Sequence, residues 1–283
     1  MSPDILTTFV SAYPAQPATA FWRAIEISAL ADRDIPHGLG LDLGCGDGIL
    51  TDILLDRIGQ RRLIGIDLDP LETAAARHYA FYNRVHTCSA DAIPEADASF
   101  DFVLSNSVLE HVPLLEGAIA EVGRVLKAGG RFFFTVPGPG FHENLYGSVL
   151  PWAERSHYLS SLDRRLAHHH YLSAAAWKAA LARYDLSLDR CLGYLDRAQT
   201  RRWEHLSRLT GGLLYNVFGR AQRPIEIQRK FGARALQNRR RMPAVLAGGI
   251  ARIVSAGIHP AMGRPTWGDV EQSSCLLIEG HRL

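Results

Sequence analysis

The sequence predicts a doubly wound α/β domain, in which helices cover both faces of a mostly parallel sheet. Short apolar runs of four to six residues alternate with segments in helical patterns along the first half of the chain. A glycine-rich turn, GCGDG, follows the first of these runs and precedes a helical pattern. Apolar runs of this length, separated by helices, are typical of parallel strands that are buried on both faces.

Several strands and helices are predicted in this half of the chain. The strands are 40–43, 63–67, 85–89, 101–105 and 131–136, and the helices between them are 49–58, 70–83 and 114–127. Pro70 suits the first turn of its helix, and Gly129-Gly130 suits the end of the last helix.

The second half of the chain has a different organisation. Ser173 is predicted to cap a helix over 174–184, and two more strands are predicted at 186–195 and 275–279. The residues between these two strands are rich in arginine, and their leucines recur at helical spacing. The predicted division is a core over 1–195 with an N-terminal lid, a basic helical insertion over 196–270, and a final core strand over 271–283.

The composition excludes several classes of protein. The 283 residues are 47% hydrophobic and 21% charged, which excludes a disordered chain, a collagen and a coiled coil. The net charge of +2 is unevenly distributed: residues 1–139 carry 10 basic and 18 acidic residues, whereas residues 196–252 carry 13 basic and 3 acidic ones. This asymmetry indicates that the basic region faces an anionic partner.

The cysteines and the N-terminal residues indicate the cellular compartment of the protein. The 4 cysteines lie far apart and form no CxxC pair, so neither a zinc site nor a disulfide framework is predicted. The N-terminal segment contains charged residues and lacks the pattern of a secretion signal, and the sequence has no apolar run long enough to cross a membrane. We therefore expect a cytoplasmic protein.

The glycine-rich turn lies between Asp42 and Gly48 and has the spacing GxGxG. Glycines are needed there because a side chain would collide with a ligand that lies across the strand ends. A nicotinamide dinucleotide site needs GxGxxG, but position 49 is Ile. An NAD-dependent oxidoreductase is therefore a less favoured alternative, and the shorter spacing suits a cofactor that presents no pyrophosphate to the helix.

The segment LDLGCGDG resembles the first motif of the class I S-adenosylmethionine-dependent methyltransferases, of the methyltransferase type 11 kind. Four later segments are similar to further motifs of that family, in the same order: IDLD (66–69), SADA (89–92), FDFVLSNSVLEHV (100–112) and EVGRVLKAGGRFFFTV (121–136). The resemblance implies a seven-stranded, Rossmann-like methyltransferase fold with an antiparallel last strand. It also implies S-adenosylmethionine as cofactor and S-adenosylhomocysteine as product.

The same resemblance implies a cofactor site. In the family, an acid at the position of Asp67 binds both ribose hydroxyls, and an acid at the position of Asp91 accepts the adenine amino group. Asp42 and Asn106 are implied to hold the methionine moiety, and Cys45 is interpreted as a backbone contact and not as a nucleophile. The complete predicted cofactor site is Asp42, Gly44, Cys45, Gly46, Asp67, Leu68, Asp91, Ala92 and Asn106.

The fourth motif narrows the type of reaction. It contains NSVL, and not the Asn-Pro-Pro-aromatic pattern of the enzymes that methylate amino groups of nucleic acid bases. No acidic cluster with the spacing of metal ligands surrounds Glu110-His111 in the sequence. No metal is therefore predicted, and His111 is interpreted as structural.

The acceptor is predicted to bind after the fifth strand, where Pro137–Tyr146 leaves the carboxyl edge of the sheet. Methyl transfer to a hydroxyl needs a group that takes the hydroxyl proton, and histidine suits this task. His142 is one candidate for a catalytic base, and His170, in the run HHHY, is another. A surface or capping role is the alternative for each of these histidines.

Two further regions have alternative interpretations. Tyr13, Phe21 and Trp22 form either a lid over the cofactor or part of the core. Arginines 239–241 precede an apolar stretch over 243–258, which suits contact with the anionic inner face of a membrane, a phosphorylated or lipid-linked substrate, or a cap or homodimer helix. Nucleic acid is disfavoured as a partner, because few aromatic residues are interleaved with the basic ones.

The predicted function is methyl transfer from S-adenosylmethionine to a small-molecule acceptor. The predicted acceptor group is a hydroxyl of a saccharide, a lipid-linked intermediate or a secondary metabolite. The alternative is a protein that binds the cofactor without catalysis and uses its insertion as an interaction module.

Overall fold

The computed structural model describes residues 4–13, 16–148, 154–208 and 264–283, and four single residues between 249 and 256. Its sheet has seven strands in the order β3-β2-β1-β4-β5-β7-β6. The strands are β1 (Leu39–Leu43), β2 (Arg62–Asp67), β3 (Tyr82–Thr87), β4 (Phe100–Asn106), β5 (Leu126–Pro137), β6 (Leu186–Tyr194) and β7 (Cys275–Arg282). The predicted doubly wound α/β fold is confirmed.

Strands β1 to β5 are parallel, and β7 is antiparallel to both of its neighbours, β5 and β6. The antiparallel last strand was an implication of the family resemblance, and the structure confirms it. Because the first five strands are parallel, their carboxyl ends lie at one edge of the sheet, where ligands bind in folds of this type.

Helices pack on both faces of the sheet and bury two hydrophobic clusters. The helices are α1 (Ile5–Ala12), α2 (Pro17–Ala31), α3 (Ile49–Ile58), α4 (Pro70–Ala76), α5 (Leu115–Val125), α6 (Phe141–Asn144), α7 (Arg155–Leu166), α8 (Ala174–Ala182) and α9 (Arg197–Ser207). Adjacent residues of β5 point to opposite clusters: Phe133 lies in one, with α1, α2 and α3, and Phe132 lies in the other, with α5 and α8. This alternation follows from the two-residue period of a strand.

The helix predicted over 70–83 is shorter than expected. It ends at Ala76, and β3 begins at Tyr82, before the predicted start of that strand. Tyr82 is buried, pairs with Leu63 of β2, and donates its hydroxyl proton to Asp42. Burial of an aromatic side chain in the sheet therefore outweighs the helical pattern of the residues before it.

The prediction that Gly129-Gly130 ends a helix is wrong. Helix α5 ends at Val125, and β5 begins at the next residue, Leu126. Gly129 has a φ of +74° within β5, where two steps along β4 correspond to five along β5. The glycine pair therefore forms an irregularity in the strand, which also needs a left-handed backbone conformation.

Of the two interpretations of the N-terminal aromatic residues, the structure shows packing in the core. Phe21 and Tyr13 are buried in the cluster beneath α1 and α2. The Trp22 ring contacts the rings of Phe141 and Trp203, with centroid distances of 5.9 and 5.1 Å. These contacts join the N-terminal helices to the segment that follows β5.

The predicted insertion follows β6 and precedes β7. Both of its ends lie beside the carboxyl end of β5. Tyr194, the last residue of β6, pairs with Cys275, and Cys275 pairs on its other side with Pro137. Helix α9 lies at the start of the predicted insertion. The arginines 239–241 and the stretch 243–258 lie outside the described residues, apart from single positions in the stretch. No helix in the described part of the chain is long and apolar enough to cross a membrane.

Candidate cofactor and acceptor site

The glycine-rich turn connects β1 to α3 at the carboxyl edge of the sheet. The N–H groups of Gly44 and Cys45 donate to the Ile66 carbonyl oxygen, at 2.8 and 2.9 Å, which holds the turn against β2. Gly44 and Gly46 have φ values of +80° and +52°. A Cβ atom at Gly46 would find its nearest neighbour 3.9 Å away, at a side-chain oxygen of Glu72, so the backbone at Gly46 faces open space that a ligand can approach.

Asp67 ends β2 beside this turn. Its Oδ2 accepts a hydrogen bond from the Gly46 N–H at 3.0 Å, and its Oδ1 accepts one from the Asp69 N–H at 2.9 Å. The two oxygens thus hold Asp67 at the strand end, beside the turn and the start of α4. The next residue, Leu68, has 72% of its surface exposed. Its side chain therefore offers an apolar surface for a ring. This arrangement suits the ribose and adenine of an adenosine.

Asp42 and Cys45 lie beneath the turn. The Asp42 carboxylate is buried and accepts hydrogen bonds from Thr51 Oγ1 at 2.6 Å and from the Tyr82 hydroxyl. Burial raises the pKa of Asp42 above its ordinary value. Burial also raises the pKa of the Cys45 thiol far above its ordinary value, which favours a backbone role and not a nucleophilic one.

Asn106 ends β4 next to β1. Its Oδ1 lies 2.6 Å from Thr135 Oγ1. Its Nδ2 is buried and has no hydrogen-bond partner among the described residues. A buried donor without an acceptor is costly, and an acceptor on a bound ligand would remove that cost.

A buried carboxylate beside Asn106 was missed in the sequence. Glu26 of α2 is 0% exposed, accepts hydrogen bonds from Ser107 Oγ and from Thr135 Oγ1 at 2.7 Å, and pairs with Arg23 at 2.5 Å. An acid within the apolar stretch of α2 was the only available signal. Glu26 therefore connects α2 to Ser107, the residue after Asn106, and to Thr135, the residue paired with Asn106 on β5.

Asp91 and Ala92 follow β3 at the same edge. The Ala92 N–H donates to the Ser89 carbonyl oxygen at 3.2 Å and forms a turn. Asp91 lines a cavity of about 630 Å³ together with Leu114, His170 and Arg183. His170 is held by a 2.9 Å hydrogen bond between its Nε2 and the Val112 carbonyl oxygen.

The structure places His142 in a different set of contacts. Its Nε2 lies 2.9 Å from Asp163 Oδ1, and the same oxygen accepts a hydrogen bond from the Tyr171 hydroxyl at 2.6 Å. The Nδ1 atom of His142 makes no hydrogen bond with the described residues. No hydrogen bond or ring contact among them joins His142 to His170, so the structure does not bring the two predicted catalytic histidines together.

His168, in the HHHY run, lies close to two residues that are distant from it in the sequence. His168 lies beside Glu110 and His111 of the 3₁₀ turn Leu109–His111, and one potential ligand atom of each lies within 4.8 Å of the others. Burial raises the pKa of Glu110 to about 8, and burial, followed by the neighbouring His111, lowers the pKa of His168 to about 3.

A match to a family model and the strand order of the sheet both bear on the family to which the domain is related. Residues 41–134 match the model described as a methyltransferase domain. The sheet around them has the strand order of the class I methyltransferases. Residues 41–134 are therefore a methyltransferase domain, and the sheet has the fold of the class I S-adenosylmethionine-dependent methyltransferases. The resemblance expected from the motifs is confirmed for this domain, and the cofactor of such domains is S-adenosylmethionine.

The chain is similar in sequence to proteins named ubiquinone biosynthesis O-methyltransferase. It is 38% identical to one from Nitrosococcus oceani over 100 residues, which are 34% of this chain and 42% of the relative. It is 28% identical to one from Xanthomonas oryzae pv. oryzae over 201 residues, which are 69% of this chain and 80% of the relative. The match at higher identity therefore spans less than half of the relative.

Solved structures of low sequence identity share the fold. A methyltransferase from Thermotoga maritima, described as a possible histamine N-methyltransferase, superimposes with a TM-score of 0.56 and 14% identity. The superposition covers 98% of this chain and 100% of the other. The shared architecture therefore extends beyond residues 41–134. At 14% identity this similarity concerns the fold alone.

The residues at the strand ends of this methyltransferase fit its cofactor. The open approach at Gly46 and the buried Asn106 Nδ2 suit the methionine end, and Asp67 with the exposed Leu68 suits the adenosine end. Four of the residues predicted for the cofactor site thus lie around one edge of β1, β2 and β4. The role of each of them toward the cofactor stays a prediction.

We predict that Asp67→Ala binds S-adenosylhomocysteine about 30- to 150-fold more weakly than the wild type. Two hydrogen bonds to a carboxylate contribute about 2–3 kcal/mol, which corresponds to that range of dissociation constants. Calorimetric titration measures the change. The matched control is Asp56→Ala, which removes an exposed carboxylate from α3 and should leave the affinity unchanged. Equal affinities of the two variants would contradict the assignment of Asp67.

Proposed function

We propose that this methyltransferase transfers the methyl group of S-adenosylmethionine to a hydroxyl oxygen of a small-molecule acceptor. The observation that carries the proposal is the pair of His142 Nε2 and Asp163 Oδ1, 2.9 Å apart, directly after the carboxyl end of β5. A carboxylate that holds one imidazole nitrogen leaves the other nitrogen to accept a proton. An acceptor hydroxyl must lose its proton during methyl transfer, so this pair suits an O-methyltransferase.

Each group of residues has a separate task in the proposed mechanism. Asp67, Leu68, Asp91 and Ala92 hold the adenosine, and Asp42, Asn106 and the turn Gly44–Gly46 hold the methionine moiety. The bound cofactor supplies a methyl group on a sulfonium, which transfers in line to the acceptor oxygen. His142 orients the acceptor hydroxyl and takes its proton. Asp163 keeps the imidazole in place and stabilises the imidazolium that results.

The insertion is proposed to contribute to the acceptor site. Glu204 of α9 is buried and accepts hydrogen bonds from the Tyr146 N–H at 2.7 Å and from the Tyr158 hydroxyl at 2.6 Å. The Arg201 guanidinium lies over the Tyr146 ring, 4.2 Å from its centroid. Helix α9 therefore contacts the segment after β5, and its arginines favour an acceptor that carries a negative charge, such as a phosphorylated or lipid-linked saccharide.

The names of the similar proteins support an oxygen acceptor. The relatives from Nitrosococcus oceani and Xanthomonas oryzae are named O-methyltransferases of ubiquinone biosynthesis. His170 is the second candidate for the base, because it lines the cavity that Asp91 also lines. Its Nε2 donates to the Val112 carbonyl oxygen, which leaves Nδ1 as the nitrogen that would take the proton.

The proposal is tested by the fate of a labelled methyl group. The protein is incubated with methyl-labelled S-adenosylmethionine and a bacterial extract that has been separated into small-molecule, lipid, protein and nucleic acid fractions. We expect label in the small-molecule or lipid fraction, as an ether that survives mild base. Label in protein or nucleic acid alone would overturn the proposal, and binding of S-adenosylhomocysteine without any transfer would favour the non-catalytic alternative.

A lipid-linked acceptor would bring the protein to a membrane surface. We expect the protein to float with liposomes that contain anionic lipid at low salt, and to be released at high salt, because screening weakens the contact of arginines with lipid headgroups. Liposomes of neutral lipid are the control. If the protein stays in the unbound fraction at low salt with both kinds of liposome, the membrane interpretation is wrong, and light scattering then tests the homodimer alternative.

A further inference from the structure

We propose that Glu110, His111 and His168 bind a divalent transition-metal ion, with Zn²⁺ as the first candidate. One ligand atom of each residue lies within 4.8 Å of the other two. Zn–N and Zn–O bonds of about 2.0–2.2 Å require ligand atoms within about 4 Å of each other. Tetrahedral bonds of that length place ligand atoms about 3.4 Å apart, so binding of Zn²⁺ requires the cluster to close by up to about 1.4 Å.

The hydrogen bond of His111 leaves its Nε2 atom as a ligand. His111 Nδ1 lies 2.9 Å from the Ala167 carbonyl oxygen, which can only accept. Nδ1 therefore carries the proton, and Nε2 has a lone pair. This Nε2 lies 3.8 Å from Glu110 Oε1. Metal-binding histidines characteristically donate their other N–H to a backbone carbonyl or a carboxylate in this way.

His168 is oriented by a similar chain of hydrogen bonds. Its Nδ1 lies 2.9 Å from the Tyr171 hydroxyl, and that hydroxyl donates its own proton to Asp163 Oδ1 at 2.6 Å. The Tyr171 oxygen must therefore accept from His168, which places the His168 proton on Nδ1. The Nε2 lone pair of His168 is then available to an ion. Both histidines thus have the tautomer that a metal site requires.

Glu110 is a buried carboxyl group without a complete set of partners. Its side chain is 2% exposed, and its Oε2 is buried with no hydrogen-bond partner among the described residues. The positive charge of Arg23 also acts on Glu110 and on both histidines, but Arg23 is paired with Glu26 at 2.5 Å. A bound cation would therefore give Glu110 Oε2 the partner that it lacks.

The ligand types indicate which cations fit. Two imidazole nitrogens and one carboxylate suit zinc and other first-row transition metals, whereas Mg²⁺ and Ca²⁺ prefer oxygen ligands. Three protein ligands leave at least one position open to water or to an acceptor oxygen. Binding of a cation by these three residues does not depend on the proposed methyl transfer.

Metal titration of the full chain tests this site. The protein is treated with a chelator, dialysed, and titrated with Zn²⁺ in competition with a chromophoric chelator. Co²⁺ is titrated separately, because its visible absorption reports the ligands without any assay of activity. We expect one ion per chain, and an affinity at least about 100-fold lower in His111→Ala and in His168→Ala, since loss of an outer partner alone costs about 10–100-fold.

Two further variants separate metal binding from a loss of folding. Tyr171→Phe removes only the hydroxyl that orients His168, and we expect it to bind Zn²⁺ about 10- to 100-fold more weakly. Glu110→Gln keeps the size of the side chain and should also weaken binding. The matched control is His281→Ala, which removes a histidine paired with Asp189 at 2.9 Å on β7 and should bind like the wild type. A wild type without Zn²⁺ or Co²⁺ binding, or folded ligand variants that bind as tightly as the wild type, would overturn the proposal.

Discussion

His142→Gln is expected to lower kcat for the labelled acceptor by about 10²- to 10⁴-fold, with little effect on the affinity for S-adenosylhomocysteine. A positioned general base contributes about that factor, because the acceptor oxygen must lose its proton as the new bond forms. The glutamine amide keeps a polar group near Asp163 but cannot accept the proton. Single-turnover kinetics with the acceptor identified by the labelling experiment measures the effect.

The control for His142 is another histidine that is paired with an aspartate. His86→Gln would also alter an ion pair, but with Glu95, whereas His281 is paired with Asp189 at 2.9 Å and lies on β7. His281→Gln is therefore the closer match and should retain the wild-type kcat. A kcat of His142→Gln within about threefold of the wild type would contradict a proton-accepting role and would direct attention to His170.

Glu26→Ala is expected to lower the free energy of unfolding by about 3–5 kcal/mol. The substitution leaves Arg23 without its ion-pair partner, and removal of one member of a buried pair costs about that much. It also removes the acceptor of the Ser107 and Thr135 hydroxyls. Because Ser107 follows Asn106 in the chain and Thr135 is paired with Asn106 on β5, we expect weaker cofactor binding as well. Urea denaturation measures the stability.

An exposed ion pair provides the comparison for Glu26. Glu116 is paired with Arg183 at 2.7 Å, and the two side chains are 49% and 60% exposed. Glu116→Ala should change the stability by less than about 1 kcal/mol, since exposed pairs contribute little. Similar losses of stability in the two glutamate variants would contradict the large contribution expected of the buried Glu26 network.

The strands could be predicted because their local signals agree with the tertiary structure. Leu63–Asp67 is an apolar run that ends in an acid, and its burial on both sides in the sheet requires that composition. The helix after Pro70 was extended too far, because alanines continue its pattern while Tyr82 is needed in the sheet. Gly129 illustrates the same limit: a glycine that can end a helix can also bend a strand.

The site could be predicted only in part. Asp67 lies in a motif whose residues are close together in sequence, so its position at the strand end follows from the strand itself. The meeting of His168 with Glu110 and His111 depends on the path of the chain through α6 and α7, and no local spacing encodes it. Glu26 was missed because one acid in an apolar helix gives no indication of its partner on a distant strand.

The pairing of Tyr194 with Cys275 has a consequence for how such an enzyme diversifies. Strands β6 and β7 are antiparallel neighbours, although 80 residues separate Tyr194 from Cys275 in the sequence. Each doubling of the length of a flexible connection costs only about 0.6 kcal/mol of closure free energy. A lineage can therefore change the length and charge of the residues between the two strands while the strands stay paired. Under the proposed function, in which helix α9 contributes to the acceptor site, such changes would alter acceptor preference and leave the cofactor-binding edge of the sheet unchanged.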